Sequence, residues 1–215
     1  MKQGLFGPMK DSSRCRIEQR ELPGGRVALA IDHEPMPGVT PEMFRWWFEH
    51  IDGESNLTAE GFQGPMTPVY RLWHPHDHIL IRWEKPKRGP DGRIGPGSVL
   101  YIEETLGGKH LSKTRVWVTR FDATAFNFSL GHGAASFGEV RHLFSPSPEG
   151  LMLRTELDFG VKWPWVGPWF NRMLRGKAFT PDLIKAWVIH NVEECGRTER
   201  FLPQLYQHQA QGGLI

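Results

Sequence analysis

Residues 180–207 read TPDLIKAWVIHNVEECGRTERFLPQLYQ, and this stretch decides the fold. Thr180 is an N-cap and Pro181 fits the first helical position, where a missing N–H costs nothing. Leu183, Trp187, His190, Glu194, Phe201 and Leu205 then recur at steps of three and four, with one longer step across Arg197 and Thr198. That spacing predicts one long helix reaching about Gln207 with an apolar face. Ahead of it, Val99–Leu106, Thr114–Phe121, Ala125–Leu130, Glu139–Phe144 and Leu151–Phe159 read as short strands. Turn residues at Gly107-Gly108, Asp122 and Pro146 to Gly150 separate them, so the expectation is an antiparallel meander. Tyr70, Leu72, His74 and then Ile79, Ile81, Trp83 alternate with polar residues, as strands do. Further upstream, Val27–Ile31 is a strand candidate, and Thr40-Pro41 opens a helix over Pro41–Ile51. A curved sheet gripping a long helix, with a cavity between them, is the economical packing. The fold class is α+β.

Composition bounds what such a domain does. The chain has 215 residues, enough to bury a real core as one substantial domain. Lys plus Arg number 26 against 24 Asp plus Glu, a net charge of +2, which argues against a nucleic-acid partner held by a basic field. Two cysteines, Cys15 and Cys195, make no disulfide framework and point to a reducing compartment. Residues 1–20 are charged without an apolar run, so no signal peptide is expected. The most apolar tract, Val161–Phe170, is broken by Lys162, Pro164 and Pro168, and nothing approaches the roughly 18–20 apolar residues of a spanning helix. The expectation is a cytoplasmic protein with no membrane partner, residues 1–25 forming an N-terminal arm and 26–210 the working domain. Nine tryptophans and ten histidines suit a ligand chamber better than a scaffold.

Three constellations carry chemistry. His190 and Glu194, at i and i+4, share a helix face about 6 Å apart at the base. That face is the apolar one, where a carboxylate is expensive unless paired or metal-bound; the competing reading is a simple rim pair. In Tyr70-Arg-Leu-Trp-His74-Pro-His76-Asp-His78, an extended backbone would put Tyr70, His74, His76 and His78 on one side, although Pro75 interrupts it. Of Glu103 and Glu104, one must face inward and one outward. Together, an imidazole and a carboxylate from the helix and another of each from the sheet suit Zn²⁺, with Mn²⁺ or Fe²⁺ as alternatives.

These residues bring a family into view. Met36-Pro-Gly-Val-Thr-Pro-Glu-Met43 leading into Trp46-Trp47-Phe48, then Tyr70-x-x-Trp73-x-Pro75-x-Asp77-His78, resembles the phloroglucinol hydrolases, which cleave the carbon–carbon bond between an acetyl group and the ring of 2,4-diacetylphloroglucinol. The resemblance continues through Glu104-Thr-Leu-Gly-Gly108 and His142 to His190-x-x-x-Glu194. It implies a helix-grip, START-like fold and a zinc ion held by His78, Glu104, His190 and Glu194. It also implies Tyr70 and His142 as catalytic groups facing a small aromatic or polyketide-like substrate, and leaves His74 either behind the metal ligands or against the substrate; Trp73 and Trp187 are read as walls of the cavity that contact the substrate. An extra N-terminal segment helps the family form dimers; this chain reads as short there, with a homodimer still among the expected partners, and a second substrate-binding tyrosine has no counterpart after His142. The rival expectation is a START-like binding protein or cyclase for an aromatic ligand; metal content separates it from a hydrolase.

Overall fold

The computed structural model describes residues 2–177 and 179–212. A short ribbon of β1 (Gln3–Gly4) and β2 (Gly7–Pro8) precedes β3 (Arg16–Leu22) and β4 (Arg26–Asp32). Helix α1 (Pro41–Glu49), a hairpin of β5 (Glu54–Thr58) and β6 (Gly61–Pro68), and the single-turn α2 (Val69–Trp73) follow. Then come β7 (His78–Lys85), β8 (Val99–Leu106), β9 (His110–Phe121), β10 (Ala125–Leu130), β11 (Gly138–Ser147) and β12 (Gly150–Phe159). Helices α3 (Gly167–Lys177), α4 (Pro181–Cys195) and α5 (Thr198–Ala210) close the chain. Eight strands form one antiparallel sheet in the order β3-β4-β12-β11-β10-β9-β8-β7. Its concave face is covered by α4 and by the aromatic side of α1, where Phe44, Trp47 and Phe48 meet Trp73, Phe126 and Phe201. This is the α+β helix-grip architecture.

The Thr-Pro starts act as read. The Thr40 Oγ1 accepts the Met43 N–H, and the Thr180 Oγ1 accepts the Leu183 N–H. Three expectations need correction. The C-terminal helix is two helices, because the chain turns at Gly196 and Arg197 to bury the Arg197 guanidinium, whose Nη1 donates to the Phe6 carbonyl at 2.8 Å. A side chain at Gly196 would collide with the stem of Lys10. Residues 16–22, assigned to an arm, pair along their length with β4 and form the edge strand of the sheet. Residues 69–73 are helical, not extended: Val69, Tyr70, Leu72 and Trp73 are buried and only Arg71 between them is exposed, so a single turn imitates the alternation of a strand. As a result Tyr70, His74, His76 and His78 do not share a side.

Candidate metal centre and cavity

A cavity of about 360 Å³ lies between the sheet and α4. Ile81, Leu100, Val116, Phe126, Phe128 and Leu157 make its sheet side greasy, and the helix contributes Leu183, Trp187, His190, Asn191 and Glu194. Polar groups gather at one end. His78 opens β7 directly across the ladder from Glu104 on β8, which settles the choice between the adjacent glutamates. Glu104 lines the cavity, while Glu103 faces away and pairs with Lys113 at 2.7 Å.

His78, Glu104, His190 and Glu194 come together as one cluster. The His78 Nε2 is 3.1 Å from the Glu194 Oε2. The His190 Nε2 lies 3.6 Å from the Glu104 Oε2 and 3.7 Å from the Glu194 Oε2. Four donors at about 2.0–2.1 Å from a tetrahedral Zn²⁺ stand about 3.3 Å from one another, close to these separations. The outer nitrogens are already committed. The His78 Nδ1–H donates to the Tyr70 carbonyl at 2.7 Å, and the His190 Nδ1–H to the Asp77 carboxylate at 3.1 Å. A neutral His78 therefore aims a lone pair at a carboxylate oxygen, an arrangement that needs a proton or a cation between the two acceptors. Among them His78, Glu104 and His190 offer ligand atoms close enough together to hold a divalent ion, and Glu194 adjoins both histidines.

The electrostatics show the same need. Burial pushes the Glu194 carboxyl up to about 8. Burial works against a charged His190, yet hydrogen bonds to Asp77 and Glu104 carry its imidazolium up to about 10. His78 is pushed down by burial and then by the neighbouring His190 and His74. Glu104 is held below its ordinary value: burial opposes this, but His190 and the Tyr70 hydroxyl outweigh it. The Tyr70 hydroxyl donates to the Glu104 Oε2 at 2.5 Å, and its ring stacks on His78 with centroids 3.5 Å apart. Burial then pushes the phenol well above its ordinary value.

Tyr70, Trp73, His142 and Trp187 all line the cavity. His142 sits on β11; burial lowers its imidazole to about 4, so it is neutral at pH 7. Its Nδ1 is 3.1 Å from the Thr155 Oγ1, which in turn lies 3.0 Å from the Nε2 of His33. His74 does not line the cavity, so it is not a substrate contact; it takes the other expected place, behind the metal ligands. The turn of α2 carries it behind His190, where its Nδ1 accepts the Asp77 N–H and its Nε2 meets Glu193 at 3.1 Å. Lys2 reaches the same Glu193 oxygen at 2.8 Å. His76 is also remote from the cavity, bonded to the Gln3 carbonyl.

Sequence reasoning assigned no role to Asp77, Asn191 or the His33–Thr155 pair. Each Asp77 oxygen accepts two hydrogen bonds, Oδ1 from Thr105 and the Gly108 N–H, Oδ2 from His190 and the Gly107 N–H. Gly107 and Gly108 both adopt left-handed backbone (φ 64° and 69°), which turns their N–H groups onto the carboxylate and which glycine reaches without strain. Asn191, 5 % exposed, lies one turn from Trp187, and its amide oxygen has no hydrogen-bond partner among the described residues.

A helix-grip domain whose cavity ends in a buried histidine–carboxylate centre is the class that fold and site define. Comparison with known proteins then bears out the family resemblance. The family model of the DAPG hydrolase PhiG domain matches residues 11–115, a span that holds Tyr70, His78 and Glu104. Phloretin hydrolase from Eubacterium ramulus is 22% identical over 200 residues, covering 85% of this chain and 69% of that protein. Among solved structures, a START superfamily protein from Mycobacterium smegmatis gives a TM-score of 0.39 at 19% identity, covering 79% of this chain and 98% of its own. The di-domain ARO/CYC StfQ from the steffimycin biosynthetic pathway gives 0.44 at 14% identity, covering 87% of this chain and 52% of its own. No helix among the described residues is long and apolar enough to cross a membrane.

Proposed function

We propose that this protein is a metal-dependent hydrolase of the carbon–carbon bond joining an acyl group to an electron-rich, hydroxylated ring. The observation that carries the reading is the convergence of His78, Glu104, His190 and Glu194 at the polar end of an apolar cavity, with both outer imidazole nitrogens fixed. His78, Glu104, His190 and Glu194 are the ligands, and zinc suits this set best, its charge cancelled by the two carboxylates, with Mn²⁺ or Fe²⁺ as alternatives. When bound, the ion supplies polarisation of the acyl carbonyl and acidification of water.

The chain's own groups do the rest. Ring and acyl ketone enter between Trp73, Trp187 and the phenylalanines, which exclude bulk water. Neutral His142 holds or moves the proton that the ring carbon must gain, with Thr155 and His33 behind it. The Tyr70 hydroxyl, anchored on Glu104, marks the place of the acyl oxygen. Water adds to the acyl carbon, the carbon–carbon bond breaks, and its electron pair passes into the protonated ring ketone as an enolate. The sum is aryl ketone plus water giving arene and carboxylic acid. A ring without hydroxyls offers no such enolate, which restricts the substrate class.

The test is elemental analysis of protein purified without added metal, followed by product analysis with acetylphloroglucinol and phloretin. About one divalent ion per chain and release of a carboxylic acid are expected. Metal-free protein that binds these rings and returns them unchanged makes it a carrier and overturns the reading.

Two substitutions probe the cavity. His142→Ala is expected to cut kcat roughly 10²-fold or more while metal content stays at the wild-type level, the usual scale for a lost proton-transfer group. Unchanged turnover would remove His142 from the chemistry. Asn191→Leu is expected to raise KM for hydroxylated rings by about fivefold to tenfold, the worth of one hydrogen bond of about 1–1.5 kcal/mol, with kcat nearly unchanged. Steady-state kinetics on rings bearing one, two and three hydroxyls checks this; an equal effect on all three disposes of a ring-hydroxyl contact.

A further inference from the structure

The segment joining β12 to α4 is built unlike the rest of the surface. Trp165 is 95% exposed, Trp169 71%, Val166 59% and Trp163 37%, all within seven residues. Single exposed apolar side chains are ordinary, but a contiguous aromatic cluster marks an interaction site. The backbone under it is fixed. Asn171, nearly fully buried, accepts the Val161 N–H and donates to the carbonyls of Val161 and Gly24. The indole N–H of Trp163 donates to the Ala134 carbonyl. Pro164 and Pro168 stiffen the knuckle, and Trp165 takes a left-handed backbone at φ 66° that turns its ring outward.

The charge of the segment is one-sided. From Phe159 to Pro181 there is no acidic residue, while Lys162, Arg172, Arg175 and Lys177 are basic. Arg175 pairs with Glu21; among the described residues Lys162, Arg172 and Lys177 make no ion pair and are exposed. Tryptophan rings beside unpaired cations match the bilayer interface, where indoles settle at headgroup level and basic residues are drawn to anionic lipid.

We propose that residues 162–177 dock this protein onto an anionic lipid surface. The three tryptophans enter the interface, and Lys162, Arg172 and Lys177 face the headgroups. The occupant is lipid because exposed indoles and cations without an ion pair occur together in a segment that carries no acidic residue of its own; the nearby Glu139 and Asp158 are already paired with Arg141. Docking of this kind needs no spanning run, so it departs from the expectation of no membrane partner without requiring a transmembrane helix. The segment leaves the sheet at Phe159 and returns at Phe179; these rings stack with centroids 4.1 Å apart and both line the cavity. The docking segment is thus anchored at both ends by rings that line the cavity. The docking stands independently of the reaction proposed above.

The test is co-sedimentation of the full chain with phosphatidylcholine vesicles, with or without phosphatidylglycerol, at low and high salt. Pelleting with the anionic vesicles, weakened by salt, is expected. The double variant Trp165→Ser, Trp169→Ser is expected to bind roughly tenfold or more weakly, while melting and binding metal like the wild type. Wild-type protein that stays in the supernatant with anionic vesicles overturns the proposal, as does a double variant that pellets equally well. So does light scattering that shows a dimer which the double substitution splits, since that assigns the face to a second copy.

Discussion

Glu194→Gln folds, but binds metal roughly 10²-fold or more weakly and loses turnover in step. A ligand lost outright costs at least as much as the tenfold to hundredfold typical of groups one shell further out. The fold survives because the amide keeps the shape of the carboxylate and can turn an N–H toward the His78 Nε2 lone pair 3.1 Å away. The pH dependence of the metal-free protein sharpens this. Glu194 has its folded value raised from 4.5 to about 8, so the folded state keeps a proton that the unfolded chain has already released. Stability therefore falls as pH rises across that interval. His190 acts in the same direction, its raised value making a contribution that is present at low pH and lost as pH rises through about 10. Raising the pH thus destabilises the metal-free wild type, and a divalent ion reverses this by replacing the protons. The gap in Tm between loaded and chelated wild type is expected to widen from pH 6 to pH 9, and to narrow in Glu194→Gln. Elemental analysis after gel filtration and melting curves at the two pH values measure both effects. A variant that retains full metal removes Glu194 from the ligand set.

The parts that were legible in the sequence are those set by local periodicity. Val99–Leu106 and Ala125–Leu130 have the bounds their alternation predicts, because each presents one face to the cavity and the other to solvent or to a neighbouring layer. Helices α1 and α4 begin where Thr-Pro places them. Helix α2 escapes the pattern because a single turn is too short to display a helical period, and its exposed Arg71 between buried neighbours mimics a strand. The break between α4 and α5 was missed because the pull on the chain there is the burial of Arg197 against Phe6, a contact across 191 residues. The site divides similarly. His190 and Glu194 stood out by helical spacing alone, whereas the pairing of His78 with Glu104 depends on strand register, which came from the family resemblance and not from pattern. For His74 the resemblance left two places open, and only the turn of α2 decides between them by carrying the ring behind His190. Asp77 lay in plain view beside His78, but its partners Thr105, Gly107, Gly108 and His190 are brought to it only by the fold.

Asp77→Asn is the second large effect, and it tests whether that carboxylate acts on the metal site or only on the loop. Asp77 is pushed well below the usual carboxylate range: burial opposes ionisation, but hydrogen bonding to His190 and the charges of His74 and His190 overcome it. An asparagine keeps one acceptor oxygen and turns an NH₂ toward two of the four donors, Thr105 and the Gly108 N–H or His190 and the Gly107 N–H. Turned toward His190, it releases the imidazole from the orientation that aims Nε2 at Glu104 and Glu194. Metal affinity is then expected to fall about 10–100-fold, with a stability loss of about 3–5 kcal/mol for breaking a buried charged network. Stability alone does not distinguish a positioning residue from a structural one, so the pH profile does. With the Asp77 charge gone, His190 is no longer held protonated as strongly, and metal binding releases fewer protons near pH 7. Titration calorimetry in buffers of different ionisation enthalpy reads that number directly. Thr105→Val provides the contrast: it removes one donor from Asp77 Oδ1 without touching His190, and is expected to cost about 1 kcal/mol of stability while metal affinity and proton release stay at wild-type values. If both variants lose metal equally, Asp77 serves the Gly107-Gly108 turn and does not orient His190.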